Sequence, residues 1–211
     1  MIKGVIFDLD GVIVHTDKYH YLAWKALADE LGIYFDEVIN NRLRGVSRME
    51  SLDIVLERAS KIYSDEEKRA LAEKKNSLYV ELLSNMSEKD VSEDVMNTLL
   101  TLKERGYKIA IGSSSKNAKR ILDRVGLLDM FDEIADGNDI QRSKPDPDVF
   151  LVAAKKLLLA SEEAVVVEDA IAGVKAGKAA NMLTFAVGDA SQNKAADYNL
   201  TILSEILEYL E

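Results

Sequence analysis

Cysteine is absent from the chain, which excludes disulfides and thiol chemistry and leaves the redox compartment open. No apolar run reaches bilayer-spanning length and the N-terminus lacks a signal-peptide pattern, so a soluble, cytoplasmic protein is expected. Positive charge is in short supply: 27 Lys and Arg stand against 37 Asp and Glu, a formal net charge of −10. That balance repels nucleic acid and anionic membranes, so neither is an expected partner, and any phosphorylated small molecule has to be held by local cations. Proline is nearly missing, and both copies fall in Lys144-Pro-Asp-Pro147, where Asp146 suits a helix N-cap and Pro147 the first helical position. Internal repeats and low-complexity tracts are lacking too. What is left is an ordinary globular composition, 47% hydrophobic over 211 residues, enough for one core and a smaller lobe. A monomer is expected.

The stretch 4–14, Gly-Val-Ile-Phe-Asp-Leu-Asp-Gly-Val-Ile-Val, organises the rest. Its apolar, β-branched run over 2–7 reads as a strand and stops abruptly at Asp8, Leu9, Asp10 and Gly11. Two carboxylates at the mouth of a buried strand are costly unless a cation or a reaction uses them, although Asp and Gly also form plain capped turns. After Val14 the period turns helical. Tyr19, Ala23, Leu27 and Leu31 recur every four residues ahead of Gly32, which is placed to end the helix; His20 and Trp24 share a neighbouring face. Ser47-Arg-Met-Glu50 and Ser64-Asp-Glu-Glu67 are capping-box patterns. The first puts Arg48 in an opening helical turn. The second starts a longer helix with an inner stripe of Leu71, Lys75, Leu78 and Leu82, the charged run 65–75 being otherwise a solvated face. Polar segments 15–17 and 84–90 read as two linkers, making 16–88 a helical cap domain hinged on a core of 1–15 and 89–211.

From Val91 onward helices and strands alternate: helix 93–105, strand 107–111, helix 116–125, strand 133–135, helix 147–158, strand 164–167, helix 170–179, strand 182–187 and helix 204–210. This predicts an α/β fold, a Rossmann-like parallel sheet flanked by helices. Each polar cluster follows a strand: Asp8 and Asp10, then Ser113-Ser-Ser-Lys-Asn117, then Lys144, then Glu168-Asp169. Loops at the carboxyl edge of such a sheet converge where ligands bind, so a single site can hold them all. Several carboxylates gathered there repel one another unless a hard cation sits among them, and Mg²⁺ is the expected metal, with Asp8, Asp10, Glu168 and Asp169 as candidate ligands. Serine hydroxyls and the N–H groups of the helix start after Ser115 suit a phosphate, and Lys144 supplies matching charge. One carboxylate is then free to attack phosphorus and form an aspartyl phosphate. Asp10 can serve the entering or leaving oxygen if its pKa is raised.

In order and spacing, Asp8-Leu-Asp-Gly11, the Ser113 strand end, Lys144-Pro145 and Glu168-Asp169 resemble the four motifs of the haloacid-dehalogenase-like (HAD) phosphotransferases, over the whole chain. The resemblance implies Asp8 as nucleophile, Asp10 as general acid/base, Ser113 and Lys144 on the phosphoryl group, Glu168 and Asp169 on Mg²⁺, a helical cap after the first strand, and a cis Lys144–Pro145 bond. Within that superfamily, Thr16, His20, Trp24, the segment Arg44-Gly45-Val46-Ser47-Arg48, Ser51 and Lys75-Asn76, with Ser115, Lys116 and Asn117 of the core, resemble the sugar-phosphate mutases. This implies exchange of β-glucose 1-phosphate and β-glucose 6-phosphate through bound β-glucose 1,6-bisphosphate. The non-reacting phosphate would rest on Arg48, Ser115, Lys116 and Asn117, while Gly45 and Val46 let the loop close and His20 with Lys75 attends the acid/base and sugar hydroxyls. A guanidinium in the first turn of a capped helix suits that task, since it forks onto a phosphate beside free N–H groups. The plainer readings are a solvated Arg48, a snorkelling Lys75, His20 and Trp24 as packing, and Glu168-Asp169 as a helix cap. Two competing functions are a sugar-phosphate phosphatase, in which water takes the phosphoryl group, and a non-catalytic phosphosugar-binding protein, which the presence of both Asp8 and Asp10 disfavours. His15 and Ala170 depart from the pattern, an acidic residue and a hydroxyl being usual there.

Overall fold

Short apolar segments build a parallel sheet from β1 (Gly4–Phe7), β2 (Lys108–Gly112), β3 (Glu133–Ala135), β4 (Ala164–Glu168), β5 (Leu183–Ala186) and β6 (Tyr198–Asn199). The structure, a computed structural model, describes residues 1–44 and 46–210. Strand order is β3-β2-β1-β4-β5-β6. The chain therefore steps from β1 toward one edge, then returns beside β1 for β4, and this reversal opens a crevice at the carboxyl ends of the two. Register is continuous across the centre, with Phe7 opposite both Ile111 and Val167. Both faces are covered, which is why the strands read as unbroken apolar runs. Val5, Phe7, Ile109, Ile111, Val165 and Val167 enter one cluster, Ile6, Ala110 and Val166 the other.

Four of the helices between β1 and β2 pack together as an insert: α1 (Asp17–Glu30), α2 (Glu37–Asn41), α3 (Arg48–Leu56) and α4 (Asp65–Leu83). They enclose a cluster of their own around Trp24, Leu27, Phe35, Leu52 and Val55. At their base, Tyr19, Ala23, Tyr79 and Leu83 instead join the main core. The remaining helices, α5 (Glu93–Glu104), α6 (Ala118–Arg124), α7 (Asp148–Lys156), α8 (Ile171–Ala179) and α9 (Gly188–Gln192), flank the sheet.

Local chemistry accounts for most boundaries. Both capping boxes form, Ser47 with Glu50 and Ser64 with Glu67. Gly32 ends α1 with φ +68°, and Ile33 N–H reaches back to Ala28 O at 2.8 Å. The α4 stripe differs from expectation: Ala72, Lys75, Tyr79 and Leu83 are buried, whereas Leu71, Leu78 and Leu82 are half-buried. Long aliphatics suggested the inner face, but the tight approach of α1 and α4 takes a small and an aromatic residue there. Asp146 and Pro147 are displaced by one position. Pro147 is itself the cap residue of α7, and the Asp146 side chain accepts from Asp148 N–H at 3.1 Å. The last segment is a 3₁₀ helix, Leu203–Glu208, rather than an α-helix. Three elements gave no usable period in the sequence: α2 and α9, each of five residues, and the two-residue edge strand β6.

Gly177 illustrates how close α8 comes to the sheet. A Cβ there would lie 2.7 Å from Thr184 Cγ2 and 3.2 Å from Val166 Cβ. Alanine is the better helix former by about 1 kcal/mol, yet overpacking costs about 1–3 kcal/mol. Gly177→Ala is therefore expected to lower the urea midpoint of unfolding; an unchanged or raised midpoint would show that α8 can move off the sheet freely.

Candidate active site

The crevice between β1 and β4 gathers the charged residues. Asp8 continues β1, its N–H donating to Val167 O at 2.9 Å. Glu168 ends β4 and Asp169 follows it. Lys144 arrives from the loop after β3, beside a cis Lys144–Pro145 bond, and its Nζ lies 2.5 Å from Asp8 Oδ1 and 2.5 Å from Glu168 Oε1, over the Phe150 ring at 4.8 Å. Two glycines make this crowding possible. Gly11, at φ +92°, would place a Cβ 2.1 Å from Asp169 Oδ2, and Gly173 of α8 one 1.8 Å from Glu168 Oε1. Glu168 also caps the loop into α8, its Oε2 accepting from the N–H groups of Asp169 and Ala170 at 3.0 Å each.

Asp8, Glu168 and Asp169 each offer an oxygen within 4.8 Å of the others, and all three are buried. Burial lowers the comfort of an ammonium, but the charges of Asp8 and Glu168 outweigh it and hold Lys144 protonated, above the ordinary lysine value. One lysine does not balance three acids. Burial, followed by repulsion from Glu168 and Asp8, pushes Asp169 up to about 8 against the pull of Arg44. Burial likewise pushes Glu168 up to about 7, with Asp8 adding to it and Lys144 opposing. A compact, all-oxygen set short of positive charge fits Mg²⁺. The carboxyl of Asp10 lies outside this trio and accepts a hydrogen bond from Thr16 Oγ1. Thr16 is the cap residue of α1 yet makes no side-chain cap, its hydroxyl being spent on Asp10. Burial and then the Asp8 charge push Asp10 up to about 7, the direction that an acid/base group working near neutrality would need.

On the helical side, Lys75 Nζ is 3.0 Å from His20 Nδ1 and sits over the rings of Trp24 at 4.7 Å and Tyr79 at 4.5 Å. His20 stacks on Tyr79 with ring centroids 4.1 Å apart. Burial, then the charge of Arg48, brings Lys75 down to about 7, and burial with Lys75 holds His20 well below the usual imidazole value. The stripe position of Lys75 is thus a buried cation among aromatics rather than a snorkelling chain.

These surfaces face each other across a cleft of about 1350 Å³. Of the expected site residues, Asp8, Asp10, His20, Trp24, Val46, Ser47, Arg48, Ser51, Lys75, Ser113, Ser115, Lys116, Asn117, Lys144, Glu168 and Asp169 line it; Thr16 lies behind Asp10, and Gly45 falls outside the described residues. Among the described residues Arg48 has one ion pair, a long contact with Glu73 at 3.4 Å. The serine loop is pre-formed: Ser113 Oγ accepts from Ser115 N–H at 3.1 Å and Ser115 Oγ from Asn117 N–H at 3.2 Å. Ser114 Oγ is buried beside the cleft with no partner, an orphan that a phosphoryl oxygen can satisfy. Asn117 Nδ2 donates to Asn76 Oδ1 at 2.9 Å, joining core to cap. Arg69 and Glu73, read as part of a solvated face, line the cleft as well. Arg44, quoted in the Arg44–Arg48 segment without a role of its own, grips Asp169 at 2.6 Å. Its signal was its place in that segment, but an arginine on a loop does not announce which carboxylate it meets.

An aspartate pair after the first strand, a lysine bridging it to a late acidic pair, and a helical insert facing them define a phosphoryl-transfer protein of one known class. A model of the haloacid dehalogenase-like hydrolases matches residues 2–181, and the chain belongs to that family. Among its relatives, the chain is 42% identical over 197 residues to the β-phosphoglucomutase of Bacillus subtilis, covering 92% of this chain and 87% of that one. It is 31% identical over 185 residues to a phosphorylated carbohydrates phosphatase of Thermotoga maritima, covering 85% and 82%. The crystal structure of β-phosphoglucomutase from Clostridium difficile superposes with a TM-score of 0.93 at 40% identity, covering 100% of this chain and 96% of that one.

The raised carboxyls have a consequence for stability. Asp10, Glu168 and Asp169 bind protons in the folded chain that they have released in the unfolded one, from their ordinary range near pH 4 up to about 7 or 8. Stability is full below that range and falls as pH rises through it. His20 and Lys75 are shifted the other way and oppose them, Lys75 only from about pH 7 upward, so the three acids prevail below neutrality. The metal-free protein is expected to lose on the order of a few kcal/mol between about pH 5 and about pH 7, and saturating Mg²⁺, which prefers the ionised carboxylates, to remove most of that slope. Thermal melts with chelator and with Mg²⁺ measure both; parallel pH profiles would refute the charge surplus.

Proposed function

We propose that this protein is a phosphomutase that interconverts β-D-glucose 1-phosphate and β-D-glucose 6-phosphate through β-D-glucose 1,6-bisphosphate and an aspartyl phosphate on Asp8. The observation that carries the reading is one cleft with more anion-holding groups than a single phosphate needs: Lys144 beside Asp8, the serine loop 113–117 with its orphan Ser114 hydroxyl, and Arg48 at the start of α3 on the opposing helical insert. A monoester hydrolase needs a single phosphate site, whereas a mutase must seat a second phosphate while the first reacts. The likeness to β-phosphoglucomutases supports the same reading, and the sugar phosphate is its substrate.

The residues divide the work. Lys144 fixes Asp8 by one carboxylate oxygen, leaving the other to meet phosphorus. Mg²⁺, held by Asp8, Glu168 and Asp169, supplies positive charge to the transferring phosphoryl group when bound. Asp10, poised near neutrality, takes the proton from the 6-hydroxyl as that oxygen accepts the phosphoryl group from Asp8. It returns the proton to the 1-oxygen when the turned bisphosphate rephosphorylates Asp8. Arg48 anchors the idle phosphate, and His20 with Lys75 presents the sugar. Residues 16–88 act as the cap that closes over it, with Gly45 and Val46 in the closing loop. Both walls of the cleft come from one chain, which supports a monomer, and a charged sugar phosphate stays in the compartment where it is made, which supports a cytoplasmic location.

Following ³¹P signals of β-glucose 1-phosphate with Mg²⁺ and a trace of bisphosphate tests the reading. Appearance of the 6-phosphate is expected, and stoichiometric inorganic phosphate without it would establish a phosphatase instead. Arg48→Ala should slow the mutase about a hundredfold while changing hydrolysis of a small acyl phosphate far less, since only the mutase uses the second anchor. Equal losses in both assays would remove Arg48 from that role. Asp8→Asn should abolish both.

A further inference from the structure

Arg44 ties together three parts of the chain. Its guanidinium lies 2.6 Å from Asp169 Oδ2, 2.5 Å from Asp189 Oδ2 and 3.3 Å from Asp17 Oδ2. Arg44 precedes α3 in the cap, Asp17 opens α1 at the first linker, Asp169 follows β4, and Asp189 belongs to α9. The Asp169 side chain is 6% exposed and that of Asp189 64%, so the fork runs from the buried acid trio out to solvent. An isolated surface ion pair is worth about 0–1 kcal/mol, but a planar fork that fastens cap to core at two points fixes geometry as well as charge.

Arg44 is also part of a partition. A second cavity of about 320 Å³, lined among others by Asn41, Ala170, Asp189 and Gln192, shares Arg44 and Asp169 with the main cleft. Both spaces are lined by Arg44 and Asp169, so the ion pair between these two side chains stands at the boundary between the second cavity and the cleft that holds Asp8.

We propose that Arg44 is a positioning residue that locks the cap onto the core through Asp169 and Asp189, and that in this position it seals the second cavity against Asp8. It thereby favours transfer of the phosphoryl group to the sugar over transfer to water. The lock stands on the contacts alone; the seal rests on the phosphomutase reading above. The two acceptors differ only in which oxygen attacks the aspartyl phosphate, the 6-hydroxyl or a water molecule, and both release free Asp8, so water access decides the ratio.

The test uses the full chain with Arg44→Gln, Arg44→Lys and Asp189→Asn, the last removing an exposed acid from the core side of the lock. Small-angle scattering without metal or substrate is expected to show a larger radius of gyration for Arg44→Gln and Asp189→Asn than for the wild type. Arg44→Lys, which keeps the charge but not the fork, should fall between. In single turnovers from acyl-phosphate-loaded enzyme with Mg²⁺ and β-glucose 1-phosphate, the ratio of hydrolysis to transfer should rise about tenfold in Arg44→Gln. An unchanged radius in both variants overturns the lock, and an unchanged ratio overturns the seal. Should the wild type form no 6-phosphate, the mutase reading and with it the seal fail, while scattering still decides the lock.

Discussion

A single buried ammonium, Lys144, lies 2.5 Å from Asp8 and 2.5 Å from Glu168, carboxylates at the ends of two neighbouring strands. Without it β1 and β4 would end in facing uncompensated charges, and breaking a buried pair of this kind costs about 3–5 kcal/mol. The cation has to be brought there from the loop after β3, two strands away from β1 in the sheet. Much of the core's irregular backbone serves that delivery. The loop carrying Lys144 turns back over the sheet edge onto Phe150 of α7, and Gly11 and Gly173 give up side chains so that Asp169 and Glu168 can close around the same point.

How the fold could be seen in the chain follows from this. Strands buried on both faces announce themselves as apolar runs, and every polar cluster that interrupted such a run proved to lie at the carboxyl edge. The capping boxes at Ser47 and Ser64 were legible because the motif is local and reciprocal. What stayed hidden were elements too short to show a period, such as β6 and α2, and the rotation of α4. There the approach of α1 selected Ala72 and Tyr79 over longer aliphatics. Tertiary fit decides between neighbouring residues on a helix in a way that a hydrophobicity pattern does not.

In the site, what could be read were residues whose type is costly where they stand: Asp8 and Asp10 after a strand, Lys75 on an inner stripe, Glu168 and Asp169 after another strand. Residues whose type is unremarkable on a surface went unread. Arg69 and Glu73 sit in a charged helical run, and only the way α4 faces the rest of the cleft turns that side of the run into a cleft wall. Arg44 is similar: its partners Asp169 and Asp189 are 125 and 145 positions away in sequence. Thr16 has the converse lesson. Its position before α1 predicts a helix cap, yet its hydroxyl goes to Asp10 and the helix starts uncapped, because a hydrogen bond to a buried carboxyl outweighs one to an N–H that water can serve.

The two walls of the cleft are electrostatically incomplete in opposite senses. On the core side the acids are pushed up, Asp169 to about 8 and Asp10 to about 7, first because burial disfavours their charged forms and then because neighbouring carboxylates add more negative charge than Lys144 and Arg44 can neutralise. On the cap side the bases are pushed down, Lys75 to about 7 and His20 below its ordinary value, because burial and the neighbouring Arg48 disfavour further positive charge. A ligand that relieved only one wall would leave the other strained. A divalent cation would complete the core side and a phosphate the cap side, so the charge pattern suits a phosphorylated ligand that arrives together with a metal better than either one alone.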